Sequence, residues 1–203
     1  MIVRAAVMDE LVMRSIREDG VTQVLNLAAG FDARPWRLDL PRDLRWIDVD
    51  HPAMLDEKAA ALSKEPTRCA YEAVRLDLAD RDARRLLFTR LAADGRRTLV
   101  ISEGLLVDLA SPGLLKMMRR SRGKAVEAGN APFRFGPEDH TAFFVPSGWK
   151  EREWRPMVEE GIRLRRIFAG ARLWMFVGRF FPARKREEFR RSSGVALLER
   201  LSG

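Results

Sequence analysis

The 203-residue sequence holds one cysteine, Cys69, and two histidines, His51 and His140. A lone cysteine excludes an internal disulfide, and this set gives no zinc cluster. No apolar run approaches the roughly 20 residues of a membrane-spanning helix. The opening segment, Met1 to Glu10, has too short an apolar stretch for a signal peptide and meets acids early. A cytoplasmic chain is therefore expected. No G-x-S-x-G elbow, H-E-x-x-H pair, EF-hand loop or P-loop is present. The full G-x-G-x-x-G run is also missing, which disfavours a dinucleotide ligand.

What is present is ordinary for a globular domain: 46% hydrophobic and 33% charged residues. The length suits one domain, residues 1–203, with a sizeable core. The charge is uneven. From Lys150 onward fourteen Lys and Arg stand against seven Asp and Glu, a net of +7 out of +8 for the whole chain. A basic segment attracts nucleic acid, anionic lipid or an anionic small substrate, or is a solvated helix face laced with Arg–Glu pairs. Trp174, Phe176, Phe180 and Phe181 beside Arg184, Lys185 and Arg186 raise the idea of a nucleic-acid or membrane-surface binder. The plainer reading places those aromatics in a core. No nucleic-acid partner and no membrane span are expected.

Along the chain, Val3, Val7, Leu11, Val12 and Ile16 recur at helical spacing, so Val3 to Arg17 is predicted helical, stopped by Asp19-Gly20. Val24 to Ala28 and Leu44 to Val49 read as buried strands. Asp32 to Asp39 opens a helical or irregular segment. Pro52 suits a helix start, with Met54 to Leu62 helical and Glu57 and Lys58 outside. Ala73 to Leu78 reads as a third strand. Asp80 to Ala93 reads as an amphipathic helix with Leu86, Leu87, Phe88 and Leu91 inward, ended by Asp94-Gly95. Thr98 to Ser102 reads as a fourth strand. Beyond Asp108 a short helix is predicted over Leu114 to Ser121. A loop-rich stretch follows from Gly123 to Gly148, then a helix over Trp149 to Ile167 broken by Pro156 and Gly161. Leu173 to Phe181 is apolar, and Val195 to Leu198 is a last strand. Alternating helices and strands predict an α/β fold with a mostly parallel, doubly wound sheet and right-handed crossovers.

Ligands of such sheets bind beyond the C-terminal strand ends. Ala29-Gly30, Asp50, Asp77 and Glu103 all fall there. A small-residue turn lets a backbone approach a ligand closely. A carboxylate about 20 residues further on suits a ribose diol, so an adenosine site is outlined. Plainer readings stand beside it. Gly30 suits a bare turn, Asp50 a helix cap with Asp48 as the true ligand, and Asp77 a cap for the helix near Asp80. Glu103 follows a buried strand with no obvious structural partner.

The run Leu25-Asn26-Leu27-Ala28-Ala29-Gly30-Phe31-Asp32-Ala33-Arg34-Pro35-Trp36-Arg37-Leu38 resembles the L-G-A-G-x-D-x-R-x-x-R-L signature of the leucine carboxyl methyltransferase-like group. That group belongs to the class I S-adenosylmethionine-dependent methyltransferases, which have a Rossmann-like fold. Val49-Asp50-His51-Pro52 is similar to its V-D-x-P element, Asp77-Leu78 to its D-L element, and Glu103-Gly104-Leu105-Leu106 to its E-G-L-L element. Arg4 with Asp9 resembles its R-T-x-x-x-D helix. The resemblance implies S-adenosyl-L-methionine as cofactor and a small-molecule acceptor. Gly30, with Ala28 and Ala29, would lie against the methionine part, and Arg4 would pair with its carboxylate. Asp50 would accept from both ribose hydroxyls, and Asp77 and Leu78 would bracket the adenine. Glu103 would lie near the ammonium or sulfonium end. Asp32 and Arg34 would brace the turn.

Two departures from the group's pattern fall around the acceptor. A helix–strand block of roughly 25 residues is expected to be missing after Leu106, leaving an incomplete sheet. An N-terminal covering extension is expected to be absent as well. An open sheet edge invites pairing, so a homodimer is expected. A shortened, non-catalytic binding module is the alternative reading. A carboxylate acceptor needs no general base, whereas a phenol or alcohol does. With only His51 and His140 as imidazoles, and His140 the better candidate base, carboxyl O-methylation is favoured. Arg134 and Lys150 are candidates to hold an acidic substrate.

Overall fold

Apolar residues at helical spacing build α1 (Ile2–Glu18), which buries Val7, Leu11, Val12 and Ile16. The computed structural model describes residues 2–103, 140–166 and 182–201. Contacts divide the chain into two units, one of residues 9–105 and one of residues 1–8 with 106–203.

The first unit is a parallel sheet with its crossovers. β1 (Gln23–Leu27) pairs with β2 (Arg45–Asp50) on one side and β4 (Thr98–Ser102) on the other. β3 (Ala70–Arg75) pairs with β2, giving the order β3-β2-β1-β4, all parallel. The connections carry α2 (Arg34–Arg37), α3 (Pro52–Ala61) and α4 (Arg81–Ala93). This is the doubly wound α/β arrangement that the alternation predicts. Leu25, Ile47 and Val49 pack against Leu87 and Leu91 of α4, with Leu27, Val74, Leu76 and Leu78 around them. Asp80 caps α4, its carboxylate accepting from the N–H groups of Asp82 (3.0 Å) and Ala83 (3.1 Å).

Three expectations in this unit are corrected. The third strand begins at Ala70 rather than Ala73 and ends at Arg75, because it matches β2 residue for residue from Arg45 to Asp50. Only Leu87 and Leu91 of α4 are buried, while Leu86 is 72% and Phe88 39% exposed. Each residue advances about 100° around a helix, so a narrow i, i+4 stripe turns its sequence neighbours away. Lys58 is buried, not outside, as described below.

In the second unit, β5 (Trp149–Pro156) and β6 (Gly194–Arg200) form an antiparallel pair with an irregularity between Glu151 and Glu153. The helix predicted over Trp149 to Ile167 is therefore a strand followed by the short α5 (Met157–Arg163). Pro156 removes a helical donor and disfavours a helical residue before it, so the segment stays extended until Met157. A 3-10 helix occupies His140–Ser147, within the stretch read as loop, and α6 spans Ala183–Arg191. The helix predicted at Leu114 to Ser121, the expected missing block after Leu106, Arg134, and the apolar run Leu173 to Phe181 lie outside the described residues. Among the described residues no helix is long and apolar enough to cross a membrane.

Candidate functional site

All four parallel strands end at one edge of the sheet. Leu27 of β1 is level with Val49 of β2 and Ser102 of β4, so Ala28, Asp50 and Glu103 form the next row. The turn after β1 is tight. Ala28 and Gly30 both adopt left-handed backbone, with φ of 53° and 48°. A left-handed alanine is uncommon and persists only where its surroundings hold it. No described atom lies within 4 Å of where a Cβ on Gly30 would stand, so the turn faces open space.

Asp50 closes the turn. Its Oδ2 accepts from the Gly30 N–H at 2.8 Å and its Oδ1 from the His51 N–H at 2.7 Å. Both oxygens are oriented by backbone donors, and each keeps acceptor capacity for a further hydroxyl. Gly30 and Asp50, predicted to share one ligand, are thus brought into direct contact. Asp48 is not an alternative ligand. It is fully buried in β2 and accepts from Asn26, Trp46, Lys58 and Tyr71.

Asp77 does not cap α4, since Asp80 does. Its Oδ1 accepts from the Ala79 N–H at 2.8 Å and lies 3.9 Å from His51 Nε2, beyond the end of β3. Leu78 packs on the core at the same edge. Ser102, the last residue of β4, has a buried hydroxyl oxygen without a partner.

Glu103 has a structural partner, contrary to expectation: Arg34 Nη2 donates to its Oε2 at 3.2 Å. Arg34 is 3% exposed and divides its donors among three carboxylates. Nε donates to Asp9 of α1 at 2.7 Å and Nη1 to Asp32 at 2.6 Å. Arg37 also donates to Asp9, at 2.6 and 2.7 Å. Burial pulls the Arg34 pKa down, but Asp32, Asp9 and Glu103 together outweigh it and the net direction is up. The guanidinium is a permanent charge that fixes the row of acids around it. Asp32 and Arg34 brace the turn as expected, the Arg34 N–H also donating to Asp32 Oδ1 at 2.9 Å.

Arg4 and His140 belong to the other unit. Arg4 is half-buried near the start of α1, and His140 opens the 3-10 helix. Lys150, a candidate for substrate binding, pairs with Glu199 at 2.8 Å.

The sequence reading missed Lys58, which is 1% exposed with its Nζ donating to Asp48 Oδ2 at 2.6 Å. Two signals mark it. An acid inside a buried strand demands a partner, and Lys58 lies three residues from buried Leu55 on the same face of α3. Burial, and then the charge of Asp48, push the Tyr71 hydroxyl pKa up and the Cys69 thiol to about 11, which leaves that thiol inert.

A protein of Streptomyces avermitilis, named as a candidate S-adenosyl-L-methionine-dependent methyltransferase, is 34% identical over 125 residues, covering 59% of this chain and 42% of its own length. The tetracenomycin polyketide synthesis O-methyltransferase TcmP of Streptomyces glaucescens is 30% identical over 117 residues, covering 58% and 40%. The chain thus spans about two fifths of the length of these relatives. A crystal structure of a DUF574 family protein from Streptomyces avermitilis shares the fold, with a TM-score of 0.56 at 12% identity over 98% of this chain and 83% of the other. Residues 1–118 match the leucine carboxyl methyltransferase family, and the chain belongs to that family.

Proposed function

We propose that this chain is an S-adenosylmethionine-dependent methyltransferase acting on a small molecule, with a carboxylate as the favoured acceptor group. One observation carries the reading. The Gly30 N–H, which would face a pyrophosphate in a dinucleotide site, is already given to Asp50 at 2.8 Å. With Asp77 and Glu103 further along the edge, the site is a row of acids. Such a row repels phosphates and suits a nucleoside that carries a sulfonium and an ammonium. The residues present fit that group. Asp50 offers two oriented acceptors for a ribose diol, the Gly30 turn offers room, and Ser102 offers an unused hydroxyl.

In this reading Ala28, Ala29 and Gly30 lie against the methionine part. Asp50 binds the ribose, and Asp77 and Leu78 border the adenine. Glu103 receives the ammonium and Arg4 pairs with the carboxylate. When bound, S-adenosylmethionine supplies a methyl carbon on a sulfonium, an already activated leaving group. Transfer to a carboxylate oxygen would break the S–CH3 bond as the O–CH3 bond formed, leaving a methyl ester and S-adenosylhomocysteine with a neutral thioether. The protein's task is alignment and exclusion of water. A carboxylate acceptor arrives ionised, so no side chain has to remove a proton. For a phenol the base would be His140. The name of the Streptomyces glaucescens relative includes O-methyl transfer and supports oxygen as the acceptor atom. The chain would work in the cytoplasm as one domain, residues 1–109 holding the cofactor and 110–203 the acceptor, with a second copy pairing at the sheet edge.

The test is transfer of labelled methyl from S-adenosylmethionine to matched panels of carboxylic acids and phenols, with light scattering for the dimer. Ester formation on acids alone is expected. Transfer to phenols alone, with a rate rising through a single ionisation that His140→Ala removes, would reassign the acceptor. No transfer, and no heat on titration with S-adenosylhomocysteine, would favour the non-catalytic binding module.

A further inference from the structure

A buried aspartate in a parallel strand is an expensive choice, because isosteric apolar residues often replace a buried ion pair at no loss of stability. Asp48 is nonetheless fully buried, and its acceptor sites are filled. Oδ1 accepts from Asn26 Nδ2 at 3.0 Å and Trp46 Nε1 at 2.9 Å, and Oδ2 from Lys58 Nζ at 2.6 Å and Tyr71 Oη at 2.9 Å. A carboxylate held by four donors has one orientation.

The second N–H of Asn26 extends the chain of contacts. Asn26 Nδ2 also donates to Asp32 Oδ2 at 3.0 Å. A neutral side chain with two donors on one nitrogen is what can stand between two carboxylates. An aspartate there would add a third negative charge, and a leucine would leave both acids short of a donor. Asp32 then holds Arg34, and Arg34 reaches Glu103. The series Lys58, Asp48, Asn26, Asp32, Arg34, Glu103 alternates positive and negative around one amide. It runs from the buried side of α3, through β2 and β1, to the end of β4.

Lys58 also reaches α2, the short helix that carries Arg34. Its Nζ lies 5.2 Å from the centre of the Trp36 ring and 6.0 Å from that of Tyr71, and the two rings are 4.7 Å apart. Trp36 stands two residues after Arg34 in α2. A four-residue helix has little stability of its own. Its placement draws on the aromatic contact with Lys58, on the carboxylates around Arg34, and on hydrogen bonds with Glu65 and Arg68 beyond α3.

We infer that Lys58, Asp48 and Asn26 are positioning residues that set the Glu103 carboxylate through Asp32 and Arg34, and so govern how the site holds the charged amino-acid end of its ligand. The inference rests on the S-adenosyl reading of the site. Asp50, which would read the ribose, takes its hydrogen bonds from backbone N–H groups outside this series. Loss of the series therefore acts mainly at the amino-acid end, with a smaller effect through the turn that Asp32 braces.

The experiment compares S-adenosylhomocysteine with 5′-methylthioadenosine, which keeps the nucleoside and lacks the amino-acid end. Both are titrated into wild type, Asn26→Leu, and the double variant Asp48→Asn with Lys58→Met. The double variant removes both buried charges at nearly constant volume, so it stays folded if Asn26→Leu does not. S-adenosylhomocysteine affinity is expected to fall about tenfold in the variants, the scale of a lost charged hydrogen bond, with 5′-methylthioadenosine within about twofold. Equal weakening of both ligands, or no change in either, would overturn the positioning role. Wild type that binds neither ligand would instead overturn the site itself.

Discussion

The parallel sheet of residues 23–102 and the β5–β6 region of residues 149–200 differ in how deeply they bury charge. In the sheet, charge is taken inside. Lys58 and Asp48 are sealed from solvent, and Arg34 is nearly so. In the β5–β6 region several ion pairs keep exposed partners, although Glu160 of α5 is buried and pairs with Arg155 and Arg163. Lys150 of β5 meets Glu199 of β6, and on the helices Arg190 meets Glu159 and Arg184 meets Glu188, all with exposed partners. Surface pairs contribute little, whereas breaking a buried pair leaves an uncompensated charge. The costly arrangement lies beside the strand ends that form the candidate site. That coincidence indicates that the buried charges serve geometry there more than stability.

The sharpest way to break this comparison is to truncate one lysine in each region. Lys58→Met is expected to cost roughly 3–5 kcal/mol in urea unfolding, because Asp48 is left unpaired in the interior. Lys150→Met is expected to cost under about 1 kcal/mol. Equal costs would erase the distinction. The antiparallel pair has a steric weakness instead. A Cβ on Gly194 would stand 2.3 Å from Trp154 Cζ2 and 2.8 Å from the Arg155 carbonyl oxygen. Gly194→Ala should therefore destabilise by about 1–3 kcal/mol, read as a lowered thermal midpoint. The same change at Gly30 meets no described atom and strains only the left-handed backbone.

A smaller effect is expected at Glu72 on β3. Burial raises its pKa, but Arg45 and Arg90, at 2.8 and 2.9 Å, outweigh that and hold it below the usual carboxylate range. A carboxylate depressed in the folded state stabilises above its unfolded pKa, and the contribution is lost as pH falls through the folded value. Acid titrations of stability should show a shallower decline in Glu72→Gln than in wild type. The difference should shrink in high salt because the pair is partly exposed.

The two regions also differ in how legibly the sequence encodes them. The inner strand Gln23–Leu27 announces itself by Val24, Leu25 and Leu27, since an inner parallel strand is covered on both faces. Gly30, Asp50, Asp77 and Glu103 were legible as one row because each follows such a run. The pairing of Arg34 with Glu103 was not, because 69 residues separate them and only the register of β1 with β4 brings them together. A lysine in a predicted surface helix reads as outward, although Asp48 in the buried strand requires a cation, and Lys58 supplies it. In the antiparallel pair, Trp149–Pro156 sets four consecutive charged residues between Trp149 and Trp154, without the apolar–polar alternation of a half-buried strand, and the partner strand lies about 40 residues downstream. Local pattern cannot resolve a strand whose hydrogen bonds come from that far away.

The most direct test of the central claim is calorimetric titration of S-adenosylhomocysteine into wild type and Asp50→Ala. Asp50→Ala removes the carboxylate proposed to read the ribose and frees the Gly30 N–H. Wild type is expected to bind, and the variant, still folded by circular dichroism, to bind roughly 10- to 100-fold more weakly, the scale of one or two hydrogen bonds to a charged group. Undiminished affinity in the variant, or no heat with wild type, would contradict the account.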